Sequence, residues 1–181
     1  MLKKIVSGGQ AGVDRGALEA AMANGVPYGG WVPRGRRAED GVVPAIFTEL
    51  REGQASNYLW RTEQNVIDSD ATLVLSPDAP DRLSPGSRRT VEFAHKHGRP
   101  VRVCILTPEM KALSAAAAWV HDGGFETLNI AGPRESKHPG VQALTAKYVA
   151  ALIEMLREFD DEEAAPPMPM AADPAPDEVA R

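Results

Sequence analysis

The stretch Lys3-Lys4-Ile5-Val6-Ser7-Gly8-Gly9-Gln10-Ala11-Gly12-Val13-Asp14 sets the fold class. A short apolar run, Ile5-Val6, breaks at once into Ser-Gly-Gly-x-x-Gly, and Val13, Ala17, Leu18, Ala21 and Met22 then recur at helical spacing. The order reads as strand, tight glycine turn, helix start. Glycines let the backbone turn sharply and let a ligand approach it, and a helix start offers unpaired N–H groups with a partial positive charge. The expectation is an anion site built on Ser7, Gly8, Gly9, Gln10, Gly12 and Asp14, against the simpler reading of a βα turn that binds nothing. A dinucleotide fingerprint fits only in part. Ser7 stands in its first glycine place, and some twenty residues on the chain carries Arg34-Gly35-Arg36-Arg37 rather than a ribose-binding carboxylate. NAD is therefore disfavoured.

Outward from that start, four more apolar runs bounded by turn residues read as buried strands: Val26 to Val32, Ala71 to Leu75, Val101 to Leu106 and Thr127 to Ile130. Between them lie helical patterns. Ser56 or Asn57 caps a helix running to about Asp68, and Ser87 caps one from Arg88 to His97. Pro108 opens a third through Val120, with the alanine run Ala115 to Ala118 suggesting close packing. The last helix spans about Pro139 to Phe159, with apolar residues every three or four positions. Strand and helix in alternation imply an α/β three-layer sandwich with a parallel sheet of about five strands. The expected order is 2-1-3-4-5, which puts the ligand crevice between the first and third strands.

The 181 residues suit one domain, at 43% hydrophobic and 25% charged. No apolar run is as long as a membrane span, and the start lacks the apolar centre of a signal peptide. The lone Cys104 lies inside a strand-like run, where packing is its expected role. A cytoplasmic protein is the simplest fit. The net charge of −5 is set by the end of the chain: without residues 158–181, 19 basic and 17 acidic residues remain. Domain 1–159 is read as the ligand-binding unit, and 160–181, acidic and rich in Pro and Ala, as a disordered tail. Aromatics make up 6% and do not interleave with the basic residues, so nucleic acid is not an expected partner. The four histidines have no metal-ligand spacing.

The loops after the strands hold eight of the twenty basic residues: Arg34, Arg36, Arg37, Arg82, Arg88, Arg89, Arg134 and Lys137. Guanidinium forks suit phosphate and other oxyanions, so convergence here predicts an anion pocket, with roughly half of these charges instead facing water. Ser76, Gly86, Ser87 and Thr90 supply hydroxyl and N–H donors in the third loop.

Five ordered segments resemble the molybdenum cofactor carrier family: Ser7 to Arg15, Gly29 to Gly41, Arg61-Thr62-Glu63-Gln64-Asn65-Val66, Asp68 to Ser76 and Asn129 to Ser136. The resemblance runs from about residue 3 to 158. It implies a Rossmann-like fold related to the lonely-guy and lysine-decarboxylase-like proteins, and binding of the molybdenum cofactor (molybdopterin), a pterin dithiolene ending in phosphate. It further implies a homo-oligomer; a dimer or tetramer is expected, and a molybdoenzyme is a candidate acceptor of the cargo. The chain departs from the lonely-guy hydrolases at Pro85-Gly86-Ser87-Arg88-Arg89-Thr90-Val91-Glu92-Phe93. There Phe93 takes the place of their final Glu and is unable to exchange a proton. Glu92 lies about 100° away around a helix.

The leading expectation is a non-catalytic carrier in which the Gly8-Gly9-x-x-Gly12 turn holds the phosphate. Arg34, Arg36 and Arg37 would close over it, Ser87, Arg88 and Thr90 would add donors, and Arg134 would hold the far edge. A nucleoside-monophosphate phosphoribohydrolase-like enzyme and a nucleotide-binding sensor are the alternatives, with a nucleoside monophosphate as ligand.

Overall fold

The computed structural model describes residues 2–54 and 58–164. The expected cap at Ser56 or Asn57 and the tail residues 165–181 lie outside the described residues. Strand β1 (Lys4–Val6) leads into helix α1 (Val13–Ala23), then β2 (Tyr28–Val32). A turn at Arg34–Arg36 precedes a small antiparallel hairpin, β3 (Arg37–Ala38) and β4 (Gly41–Val42), and a short strand β5 (Leu50–Glu52). Next come α2 (Tyr58–Ile67), β6 (Ala71–Ser76), α3 (Pro85–Lys96), β7 (Val101–Ile105), α4 (Leu113–Asp122), β8 (Thr127–Ala131) and α5 (Val141–Ala164).

The large sheet has six strands, all parallel, in the order β5-β2-β1-β8-β6-β7. The α/β sandwich is as expected; the strand order is not. The run at 127–131 enters the middle of the sheet, pairing Ile5 with Leu128 on one side and Leu73 with Ile130 on the other. In the five-run numbering the order is 2-1-5-3-4, and β5 adds a sixth strand at the edge. If β8 and α5 are counted before β1, the five main strands read 3-2-1-4-5, the doubly wound order of nucleotide-binding folds. The switch point then falls between β8 and β6.

Burial explains the insertion. Leu128 and Ile130 are fully buried, as a central strand covered on both faces requires. On one face α1, α4 and α5 pack together. Their Val13, Ala17, Ala116, Ala117, Val120, Tyr148, Leu152 and Ile153 join Ile5, Leu73, Leu75, Leu128 and Ile130 in the main core. Each fully buried aliphatic side chain there contributes about 1.5–3 kcal/mol. The buried Ala116 and Ala117 let α4 sit close, as the alanine run suggests. On the other face α2 packs against α3. A second cluster, Leu18, Val32, Val43, Phe47 and Leu50, fixes the segment between β2 and β5.

Three helix boundaries differ from the sequence reading. Helix α3 begins at Pro85, with Ser84 rather than Ser87 as its cap: the Ser84 Oγ accepts the Ser87 N–H at 3.2 Å. Proline at the first helical position loses no hydrogen bond and has its φ pre-set. Helix α4 begins at Leu113, since residues 107–112 form turns. Helix α5 starts at Val141 and continues through Asp160–Glu163 to Ala164, past the expected end at Phe159.

Candidate functional site

The loops at the carboxyl ends of β1, β6 and β8 converge over the switch point, where they and α2 enclose a cavity of about 300 Å³. That is the lower end of the range for small-molecule sites. β1 delivers Gly8, Gln10 and Asp14, β8 delivers Asn129, Gly132, Arg134 and Lys137, the start of α3 delivers Gly86, Arg89 and Thr90, and α2 delivers Tyr58, Arg61 and Asn65.

The inner wall is a buried ion pair. The Arg61 Nη1 donates to Asp14 Oδ2 at 3.1 Å, with 12% and 6% of the two side chains exposed. The Gln10 N–H donates to the same oxygen at 3.4 Å. Burial pushes the Asp14 carboxyl above its ordinary value, against the opposing pull of Arg61, the Gln10 N–H and Arg134. Gly8 makes room for the pair: a Cβ there would fall 1.3 Å from Arg61 Nη1 and 2.7 Å from Asp14 Oδ2. Two donors on this wall lack an acceptor among the described residues, Gln10 Nε2 and Arg61 Nε, and both are buried. Gln10 is held from its other end, its Oε1 accepting the Glu39 N–H at 3.1 Å.

The mouth is cationic. The Arg134 guanidinium lies 5.4 Å from the Tyr58 ring centroid, Arg89 pairs with the exposed Glu92, and Lys137 completes the rim. At the start of α3, Thr90 Oγ1 donates to Gly86 O at 3.1 Å. His138 Nε2 and Asp78 Oδ2, 2.9 Å apart, join the loops after β8 and β6.

Of the residues expected from sequence, Gly8, Gln10, Asp14, Gly86, Thr90 and Arg134 line this cavity, as do Arg89 and Lys137 of the eight loop cations. The others do not. Ser7 is fully buried and donates to Ile130 O at 2.6 Å, tying β1 to β8. A side chain at Gly9 would meet Val32, Val43 and Leu50, so it faces the second apolar cluster. Gly12 has φ +109°, and a Cβ on it would lie 2.6 Å from both Pro133 O and Glu135 N. The loop after β8 therefore crosses directly over the start of α1, where the Gly12 and Val13 N–H groups donate to Gln142 Oε1 and Pro133 O.

The arginine cluster also stays outside. Arg36 donates to Pro44 O and Phe47 O at 3.2 and 3.0 Å, tying down the loop before β5. Arg34 and Arg37 are exposed on the hairpin's approach. The hairpin tip is a clamp instead. Asp40 takes Arg15 by two bonds, at 2.5 and 2.8 Å, and Glu39 accepts from the Ser136 N–H and Oγ at 3.1 and 2.6 Å. Ser76 Oγ accepts the Asp78 N–H, Ser87 Oγ meets Ser84 Oγ, and Arg88 donates to Leu83 O. Tyr58, Arg61, Asn65 and Asn129 were not anticipated as site residues. The one signal for Arg61 and Asn65 was their place in a resembling segment, since a single helical turn with one cation reads as a solvated face.

Residues 5–153 match the circularly permutated YpsA SLOG family. The chain belongs to that family. Its permuted architecture is the one the sheet displays, with β8 occupying the place of a first strand. The chain is also 40% identical to a crystal structure described as "Putative molybdenum carrier protein" from Syntrophus aciditrophicus, over 86% of this chain and 94% of that one, with a TM-score of 0.76. No curated protein is significantly similar. No helix among the described residues is long and apolar enough to cross a membrane.

Proposed function

We propose that this protein binds and carries the molybdenum cofactor, or a related phosphorylated pterin, in the cavity at the β8/β6 switch point, with no chemical step. The carrying observation is the charge of the lining: Arg61, Arg89, Arg134 and Lys137 stand against one carboxylate, Asp14. Such a cavity favours a small ligand with an anionic end. The relative described as a molybdenum carrier supports the choice of cargo. In this reading the phosphate sits at the mouth, among Arg89, Arg134, Lys137 and the Gly86 N–H at the start of α3. The start of α1 is a poorer place for it, because Gln142 Oε1 and Pro133 O already take the Gly12 and Val13 N–H groups. The cytoplasm, a homo-oligomer and a molybdoenzyme acceptor complete the proposal.

The test is anaerobic purification from cells that make the cofactor, release with acid and iodine, and measurement of pterin fluorescence and molybdenum. Stoichiometric pterin, falling at least about tenfold in Arg134→Ala, is the expected result. A nucleotide recovered in place of pterin would overturn the choice of cargo.

One observation favours a second reading. Asp14 is a buried carboxylate facing the cavity with its pKa raised, the condition a general acid requires. That reading makes the protein a nucleoside-monophosphate hydrolase, and release of ribose 5-phosphate from AMP is its assay.

A further inference from the structure

The guanidiniums of Arg61, Arg89 and Arg134 all line the cavity, and the fold holds them in different ways. Arg61 is spent on the inner wall, its Nη1 donating to Asp14 Oδ2 at 3.1 Å. Arg89 gives an edge to Glu92 one turn along α3, Nη1 to Oε2 at 2.6 Å. The Arg134 guanidinium meets an aromatic face instead, with its Cζ 5.4 Å from the centroid of the Tyr58 ring. Among the described residues no carboxylate or carbonyl takes its N–H groups. Its charge pulls on the Asp14 carboxyl, which sets the guanidinium over the cavity.

The manner of holding decides what is left for a ligand. A guanidinium bound through its edge to a carboxylate has used donors and lost much of its field. One held by its face keeps the whole fork of N–H groups, which matches two oxygens of one oxyanion. The ring also limits the rotamers of a long side chain before any ligand arrives, so less freedom is lost on binding. Tyr58 is well placed for this. It is half-buried at the start of α2, the helix that brings Arg61 and Asn65 to the same cavity, and its carbonyl accepts Thr62 Oγ1 at 2.9 Å. Arg134 lies on the exposed loop after β8, so the contact joins that loop to α2 across the mouth.

We infer that Tyr58 is a positioning residue of the anion site: its ring holds the Arg134 guanidinium by the face and presents the fork to the phosphate of the ligand. This rests on the anion-binding reading above. Tyr58 acts through Arg134 and needs no contact of its own with the ligand.

The experiment grades the ring's electron density while keeping its size. Tyr58→Phe is the reference, and the same ring carrying one, two or three fluorines completes the series in the full chain. Each form is titrated calorimetrically with 6-hydroxymethylpterin phosphate and with inorganic phosphate, the control that has no ring. Cation–π attraction falls with each fluorine, so affinity for both ligands is expected to fall stepwise by the same factor. The whole loss should reach about twofold to fivefold. In an Arg134→Ala background the series should be flat, because the cation is gone. A cooperative thermal melt checks that each form is folded, and Tyr58→Leu, which removes the aromatic face, should show a loss at the upper end of that range.

A flat series in a protein whose binding still falls on Arg134→Ala would overturn the positioning role and leave the anion site standing. A loss confined to the pterin phosphate would also overturn it, since the ring would then be stacking on the ligand. Absence of binding of either ligand by the unaltered protein would overturn the anion site and this role with it.

Discussion

At position 8, the space a side chain would need is filled by the guanidinium of Arg61. Gly8→Ala is therefore expected to destabilise the protein by about 1–3 kcal/mol in urea unfolding, the usual cost of overpacking. The two changes should not be additive: in an Arg61→Ala background most of the Gly8→Ala cost disappears, because the clashing group is gone. Full additivity would show that the glycine is required for another reason. The two aspartates of the site's surroundings titrate in opposite senses. Asp40 is held below the ordinary carboxylate value by Arg15, so its stabilisation is present above that value and is lost as pH falls through the lowered one. Asp14 is raised by burial, so the folded chain keeps its proton to higher pH than the unfolded chain does. Its contribution weakens as pH climbs from the ordinary value through the raised one. Thermal melts across the acidic range should show that Asp40→Asn flattens the acid-side loss of stability, while Asp14→Asn removes a decline that runs the other way. These individual roles were only partly legible. An arginine in a sequence does not reveal whether it faces a ligand or backbone carbonyls, and Arg36 faces carbonyls. Gln10 and Asp14 were legible because a glycine turn after a strand confines where they project.

Among the elements, α3 and the loop over α1 carry the sharpest expectations. The Ser84 side chain caps α3, so Ser84→Ala should cost about 1 kcal/mol by chemical denaturation. Gly12→Ala should cost more, about 3 kcal/mol or above. Its φ of +109° is strained for any other residue, and backbone atoms on the crossing loop would have to move. A neutral Gly12→Ala would contradict that crossing. Element type was readable in the chain because apolar runs alternate with helical periodicity between turn residues. Sheet order was not. Strands β1, β6 and β8 are all short and apolar, and nothing local states which two will flank the third. The edge strand β5, Leu50-Arg51-Glu52, and the hairpin at Arg37–Val42 are too short and polar to stand out from loop.

The molecule as a whole can be rethreaded. Leu2, two residues before β1, and Asp160, near the end of α5, line the same small surface depression with His121 and Phe125. A permutant that starts at Gly124, in the turn before β8, and joins the end of α5 to Leu2 through a short linker is expected to recover the same sheet in conventional 3-2-1-4-5 order. Native-like circular dichroism with a cooperative melt would bear this out; a chain without cooperative unfolding would show that the order of synthesis matters. That order has a consequence for the chain as it leaves the ribosome. The strand that occupies the centre of the sheet is the last of the described strands to be made, so β1 and β6 emerge with nothing between them and keep open edges until residues 127–131 arrive. Open parallel edges invite pairing with other chains, and non-local closure is slow. Nascent chains that stall before residue 127 are thus exposed to aggregation, and the ligand cavity comes into being only with the final strand.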